Sequence, residues 1–378
     1  MHVKKSIAIL MILSLVLVVY SCKKNNDKLN GTVYLDLPAT PYNYAGTAFM
    51  APPQVNQKAT LGRVLFYDTH LSLNNAISCG SCHKQAEGFA DNVALSVGYE
   101  GRLTKRNSKS ISNITGDELD FRSIDTGFLP LFWDGREDAL MGLVSRPITN
   151  HVEMGVSDFS VLPAKLSGLS YYSSLFSSAY GDPSITTDRI SECVAIFLAS
   201  IQSHSTRFDA FLQGFNPGTG QSSSTVYSPQ ELQGYNLFTT KYHCENCHHI
   251  VSNSYTTIDF KDIGLDKNYT DMGRGTITGN PADNGKFKVP SLRNVALTAP
   301  YMHDGRYKTL GEVIDHYSKN IQPSTNLDIQ LRDSTTGHAM SMNIADNEKD
   351  AIIAFLNTFT DYQLVTDPKF SNPFKVKN

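Results

Sequence analysis

Apolar positions recur at helical intervals through much of the chain. Leu61, Leu65 and Phe66 fall on one side of the segment 54–68, which predicts a helix there. Ile190, Cys193, Val194, Phe197 and Ile201 repeat the periodicity, and the pattern predicts one long helix from Asp188 to Leu212. Ser228-Pro229-Gln230-Glu231 places a capping serine before a first-turn proline and a reciprocating glutamate; Leu232, Tyr235 and Phe238 continue that helix. Thr309 with Glu312 opens another capped helix through Tyr317, and Ile352, Ile353, Phe355, Leu356 and Phe359 mark a last one. The fold class expected is mainly α, with irregular loops between the helices.

Polar stretches divide this pattern. A basic start at Lys4 and Lys5, an apolar run from Ile7 to Val19 and the sequence Val19-Tyr20-Ser21-Cys22 resemble a lipoprotein export signal. The competing reading is a transmembrane helix, since the run nears spanning length. The cysteine at its end and the polar Lys23-Lys24-Asn25-Asn26-Asp27 favour cleavage and acylation at Cys22. Gly214 to Thr225 has linker composition. The expected organisation is a signal peptide at 1–21, a tether at 22–51, a first domain at 52–213, a linker at 214–227, a second domain at 228–362 and a tail at 363–378. The 378 residues suit two such domains, and a net charge of −3 gives no basic footprint for nucleic acid.

The candidate chemistry lies in Cys79-Gly80-Ser81-Cys82-His83 and its second copy, Cys244-Glu245-Asn246-Cys247-His248. Two cysteines spaced to form thioethers with one haem, followed by a histidine for its iron, make the c-type haem attachment signature. A redox dithiol leaves both histidines unexplained, and zinc-ribbon knuckles lie about 15–20 residues apart, far closer than these. The motifs therefore predict two covalent haems c, one on Cys79, Cys82 and His83 and one on Cys244, Cys247 and His248. The remaining cysteine besides Cys22 is Cys193, on the apolar face of its helix, where a buried inert thiol is expected.

The motifs sit in an internal repeat. Gly62-Arg63-Val64-Leu65-Phe66 and Gly234-Tyr235-Asn236-Leu237-Phe238 share GxxLF ahead of CxxCH; Arg106-Asn107 is echoed by Arg293-Asn294. Asp134-Gly135-Arg136 with Leu140 is echoed by Asp304-Gly305-Arg306 with Leu310. Features recurring in one order with unequal gaps indicate a duplicated unit, one cytochrome c-like domain per haem.

From Pro52 to Tyr362 the chain resembles the bacterial dihaem cytochrome c peroxidases and their MauG-type relatives. The resemblance rests on the two CxxCH sites, Phe132-Trp133-Asp134-Gly135-Arg136, Pro147-Ile148 with Glu153-Met154-Gly155, and Pro290 to Asn294 running through Thr298 to Gly305. It implies a peroxidatic N-terminal haem and a C-terminal haem that takes in electrons. It also implies an interdomain calcium ion at positions matching Asn107, Thr298 and Pro300, residues that would otherwise read as turn formers. Glu153 matches the distal glutamate, although a lone glutamate is ordinarily a solvated charge. A carboxylate enclosed above a haem has a raised pKa, suited to proton transfer near neutral pH. Trp133, the only tryptophan, matches a residue between the haems; core packing is the alternative.

Three positions depart from the peroxidase pattern. Tyr99 stands where a histidine would cap the resting peroxidatic iron, so that iron is either open, the preferred reading, or bound by Tyr99. Tyr317 stands where methionine would bind the other iron, and tyrosine there is the MauG-type arrangement; Met302, Met340 and Met342 are rival ligands, with His303 and His316 nearby. Leu143 replaces a glutamine that helps hold distal water. The function expected is peroxide reduction with electrons from a small periplasmic cytochrome c or cupredoxin. The enzyme would be lipid-anchored on the periplasmic side of a bacterial membrane, and a homodimer is compatible with this reading. The alternatives are a MauG-like oxidase, which uses peroxide for radical oxidation of a protein or small molecule, and a non-catalytic dihaem electron carrier.

Overall fold

The structure, a computed structural model, describes residues 33–38, 42, 52–115, 124–125, 130–216, 221–222, 225–250 and 258–376. The expected signal peptide, Cys22, most of the tether and positions 217–220 and 223–224 of the linker lie outside the described residues. Contacts divide the chain into two units. In the smaller, β1 (Val33–Leu35) pairs antiparallel with β6 (Phe374–Val376), Tyr34 opposite Lys375. The larger, 37–372, is mainly helical, its strands among the described residues being the two-residue pairs β2 (Phe215–Asn216) with β3 (Gln221–Ser222) and β4 (Phe260–Lys261) with β5 (Phe287–Lys288).

Its described helices gather round two apolar centres. In the first, α1 (Pro53–Tyr67) packs Leu61, Leu65 and Phe66, each at most 1% exposed, against α5 (Thr187–Ser200), with α3 (Leu140–Thr149) and α4 (Ser170–Tyr180) around them. The α1–α5 crossing is close because Gly62 has no side chain; a Cβ there would overlap the Cys193 carbonyl. In the second, α7 (Pro229–Asn236) packs on α10 (Asp346–Asn357), and a Cβ at Gly234 would overlap the Ala351 carbonyl in the same way. Phe208, Phe211, Tyr235, Phe238, Phe355 and Phe359 fill this centre. The capping boxes at Ser228/Glu231 and Thr309/Glu312 are both formed.

The long helix expected over 188–212 is two helices. α5 stops at Ser200, and α6 (Arg207–Leu212) restarts under a capping box of Thr206 and Asp209. Between them the amides of His204 and Ser205 donate to Asp361 Oδ2, each at 3.0 Å, and Ser203 N donates to Asn113 Oδ1 at 2.8 Å. Asp361 and Asn113, from distant segments, give the backbone of Ser203 to Ser205 partners outside a helix, and these outweigh the continued apolar period.

The segment expected to be a mere tail returns to the first centre. Phe370 packs edge-on against Phe89, and Tyr67 Oη donates to the Phe370 carbonyl at 2.6 Å. The buried Arg63 donates to the Ser371 carbonyl at 2.6 Å, and Gln85 to the carbonyls of Leu364 and Asp367.

Candidate active site

α1 leads through a short helical turn at Thr69–Leu71 to α2 (Cys79–Cys82), which carries the first motif, and a helical turn at the end of α7 leads to α8 (Glu245–His248), which carries the second. His83 Nδ1 faces the Phe89 carbonyl at 3.0 Å, and His248 Nδ1 faces the Pro290 carbonyl at 3.2 Å. Each contact puts the ring proton on Nδ1 and leaves Nε2 as a lone-pair donor, the state in which imidazole binds a metal. Burial depresses both imidazole pKa values, that of His248 to about 4, so both rings are neutral. Ser108, which the sequence reading missed, donates to the Cys82 carbonyl at 2.6 Å and fixes the corner before His83.

No disulfide joins the cysteines of either motif. Burial pushes Cys79 and Cys244 to about 12 and Cys82 to about 11. Redox dithiols depend on a depressed thiol pKa, so this is a poor environment for one. Both histidines and three of the four cysteines line one cavity of about 1730 Å³. Single-ligand pockets run roughly 300–1,000 Å³, so the volume suits two large groups. Haem is not part of the structure; the neutral Nε2 donors, the adjacent thiols and this volume fit it.

α3 builds the wall that faces the first motif, placing Leu143, Arg146 and Pro147 on the cavity one turn apart and ending at Asn150. The Asn150 carbonyl accepts from the amides of Glu153, Met154 and Gly155 at 3.1, 3.2 and 2.9 Å, while its Nδ2 donates to Glu153 Oε1 at 2.7 Å. Burial raises the Glu153 pKa, with Arg136 and the Asn150 bond opposing the rise. The sequence reading did not single out Asn150, although asparagine is a type that often closes a turn on its own backbone.

Tyr99 does not line the cavity. Its amide donates to the Val152 and Glu153 carbonyls at 2.9 and 2.8 Å, and its ring lies against Gly155 beneath the Arg102 guanidinium. It braces the Glu153 turn from outside and leaves the position opposite His83 without a tyrosine.

Trp133 lines the cavity between the motifs, its indole N–H donating to the Asn107 carbonyl at 2.9 Å. It belongs to a tight turn closed by a bridge between Leu131 and Glu137, with Phe132 and Gly135 at positive φ. The repeat builds the same turn from Tyr301 to Tyr307, with Met302 and Gly305 in the matching conformations. Arg106 pairs with Asp134 and Asp271 behind it. Asn107, Thr298 and Pro300 all lie on the cavity wall. Asn107 Nδ2 donates to the Val93 and Ala94 carbonyls at 3.1 and 3.2 Å, which leaves Oδ1 as its oxygen donor.

At the second motif, α9 (Leu310–Asp315) continues into a π-helical turn over His316–Asn320. That turn sends His316, 1% exposed, to the Ile263 carbonyl at 2.9 Å, and His316 does not line the cavity. Tyr317 is sent into the cavity, where burial and the nearby thiols of Cys247 and Cys244 push its pKa up. Met302, Met340 and Met342 line the same cavity, and His303 stacks on Phe287 at 3.8 Å.

Residues 56–216 match the family model described as di-haem cytochrome c peroxidase. The chain is 30% identical to the cytochrome c551 peroxidase of Nitrosomonas europaea over 85% of its own length and 86% of that protein. It is also 30% identical to the methylamine utilization protein MauG of Methylorubrum extorquens, over 82% and 79% of the two chains. Among solved structures it superposes on a MauG-like protein associated with microbial copper homeostasis with a TM-score of 0.72 and 30% identity, over 88% of this chain and 99% of that one.

Proposed function

Because this chain belongs to the di-haem cytochrome c peroxidase family, whose members are peroxidase-type oxidoreductases, we propose that it reduces hydrogen peroxide to water at the haem on Cys79, Cys82 and His83. Electrons enter at the haem on Cys244, Cys247 and His248, each haem having its own domain, at 52–213 and 228–362. The observation that carries this reading is the single cavity that joins His83, Glu153, Trp133 and His248.

The haems, when bound, supply iron that passes two electrons to the O–O bond. The protein's part is to move protons. Asn150 holds Glu153 Oε1, so Oε2 is the oxygen free to take the proton from one peroxide oxygen and return it to the departing one. Leu143 keeps the pocket wall apolar, which sustains the raised Glu153 pKa. Asn107, Thr298 and Pro300 would hold calcium through the Asn107 Oδ1 and backbone carbonyls, oxygen donors of the kind calcium takes; chelation with no effect on the haem spectrum or activity would dismiss it. Export and acylation at Cys22 complete the proposal, with a periplasmic cytochrome or cupredoxin as donor. Growth with labelled palmitate tests the anchor, and an unlabelled chain would remove it.

A MauG-like oxidase is favoured by one specific arrangement, Tyr317 inside the cavity and Tyr99 outside it. The deciding experiment mixes the fully ferric protein rapidly with a small excess of peroxide and no donor. An immediate change in haem absorption means a permanently open iron and supports the oxidase. No change until one haem is reduced means a gated iron and supports the peroxidase. A Glu153→Ala protein with unchanged peroxide turnover would undo the catalytic assignment of Glu153.

A further inference from the structure

Two lysines on the cavity wall have no part in the peroxide chemistry. Lys109 directly follows Ser108, which holds the Cys82–His83 corner, and Lys288 lies two residues before Pro290, whose carbonyl faces His248. Both reach Trp133. Lys109 Nζ is 5.4 Å from the indole centroid, and the Lys288 amide donates to the Trp133 carbonyl at 2.8 Å. Lys288 is only 5% exposed, and the two ammonium groups are close enough to repel each other.

The carboxylates of the same wall are committed elsewhere: Asp134 and Asp271 to Arg106, Asp304 to Arg306, Asp328 to Lys261, and Glu153 to Asn150. Among the described residues neither lysine has a carboxylate partner. Two neighbouring buried cations without a counter-charge are unfavourable, and a pair of carboxylates entering the cavity would correct this. Each haem c brings carboxylates on its propionate arms.

We propose that Lys109 and Lys288 are the receiving groups for haem propionates, one from each half, and so form a charge-compensating clamp flanking Trp133. The inference rests on the reading that both CxxCH motifs carry haem. It gives the two lysines a positioning role, because they act on iron through the propionates. A positive charge about 10 Å from an iron, at an effective dielectric of about 20, favours the reduced state by about tenfold. Removing that charge lowers the midpoint potential by about 59 mV for a one-electron couple.

The test is spectroelectrochemical titration of the dihaem protein carrying Lys109→Met, Lys288→Met, Lys109→Arg or Lys288→Arg. The pyridine haemochrome of each preparation separately counts its haems. Fewer than two haems in the unsubstituted protein would sink the dihaem reading itself, not the clamp alone. With two haems bound, each methionine variant should lower at least one potential by about tenfold in the reduction equilibrium, and each arginine variant should restore it. Unchanged potentials in the methionine variants, or an equal fall in the arginine ones, would overturn the clamp. Should a methionine variant fail to mature, the arginine variants decide through resonance Raman. Their longer planar cation should shift the propionate bending band, and an unshifted band would overturn the clamp.

Discussion

A buried carboxylate shows how a residue's surroundings set its chemistry. Glu153 is half-buried, held at Oε1 by Asn150, and its pKa is raised chiefly by burial. As a base it must be ionised, so the acid limb of the peroxide reaction should lie above the ordinary carboxylate range. Activity is complete above that raised pKa and lost as pH falls through it. Glu153→Gln keeps the shape and the Asn150 contact, should slow the reaction with peroxide by about 10²–10⁴-fold, and should remove the acid limb. Stopped-flow mixing across pH checks both. The residues that sequence could name here are those within a tight motif, the four cysteines, His83 and His248. Asn150, Ser108 and the outward placement of Tyr99 were not legible, because each acts through a backbone carbonyl or amide brought close only by folding.

The repeated GxxLF element draws its meaning from packing. Leu65, Phe66, Tyr235 and Phe238 were legible as core by period, although Leu232 of the same pattern is exposed, whereas the need for glycine at 62 and 234 comes from the partner helices lying against them. Gly62→Ala and Gly234→Ala should each destabilise the protein by about 1–3 kcal/mol through overpacking. Gly311→Ala in α9, where the nearest atom to an added Cβ is 3.6 Å away, should be neutral or stabilise by up to about 1 kcal/mol. Denaturant midpoints of the three variants check the contrast, and equal effects would remove the close-crossing argument. Periodicity misread 188–212 for a related reason. It reports a continuous apolar face but not that Asp361 and Asn113 will bind the backbone in the middle.

At the scale of the molecule, the two motifs matter because they open onto one cavity with Trp133 between them. Trp133→Phe keeps an aromatic ring and deletes the donor to the Asn107 carbonyl. It should slow electron transfer between the haems while leaving the attachment of both haems intact. Flash reduction of the second haem, followed at the first, measures this; an unaltered rate would return Trp133 to packing alone. The sequence by itself determined what is local or periodic: the attachment motifs, the duplicated unit, the capped helices and the mainly α class. These follow from bond-length spacings and helical pitch, which one chain segment carries alone. Tertiary structure decided what depends on distant segments meeting. It turned Tyr317 inward and Tyr99 outward, brought the Lys109 ammonium and the Lys288 backbone to Trp133, and returned Phe370 and Ser371 to α1 and its surroundings. A backbone amide, carbonyl or ammonium finds its partner through the path of the whole chain, and no local pattern records that path.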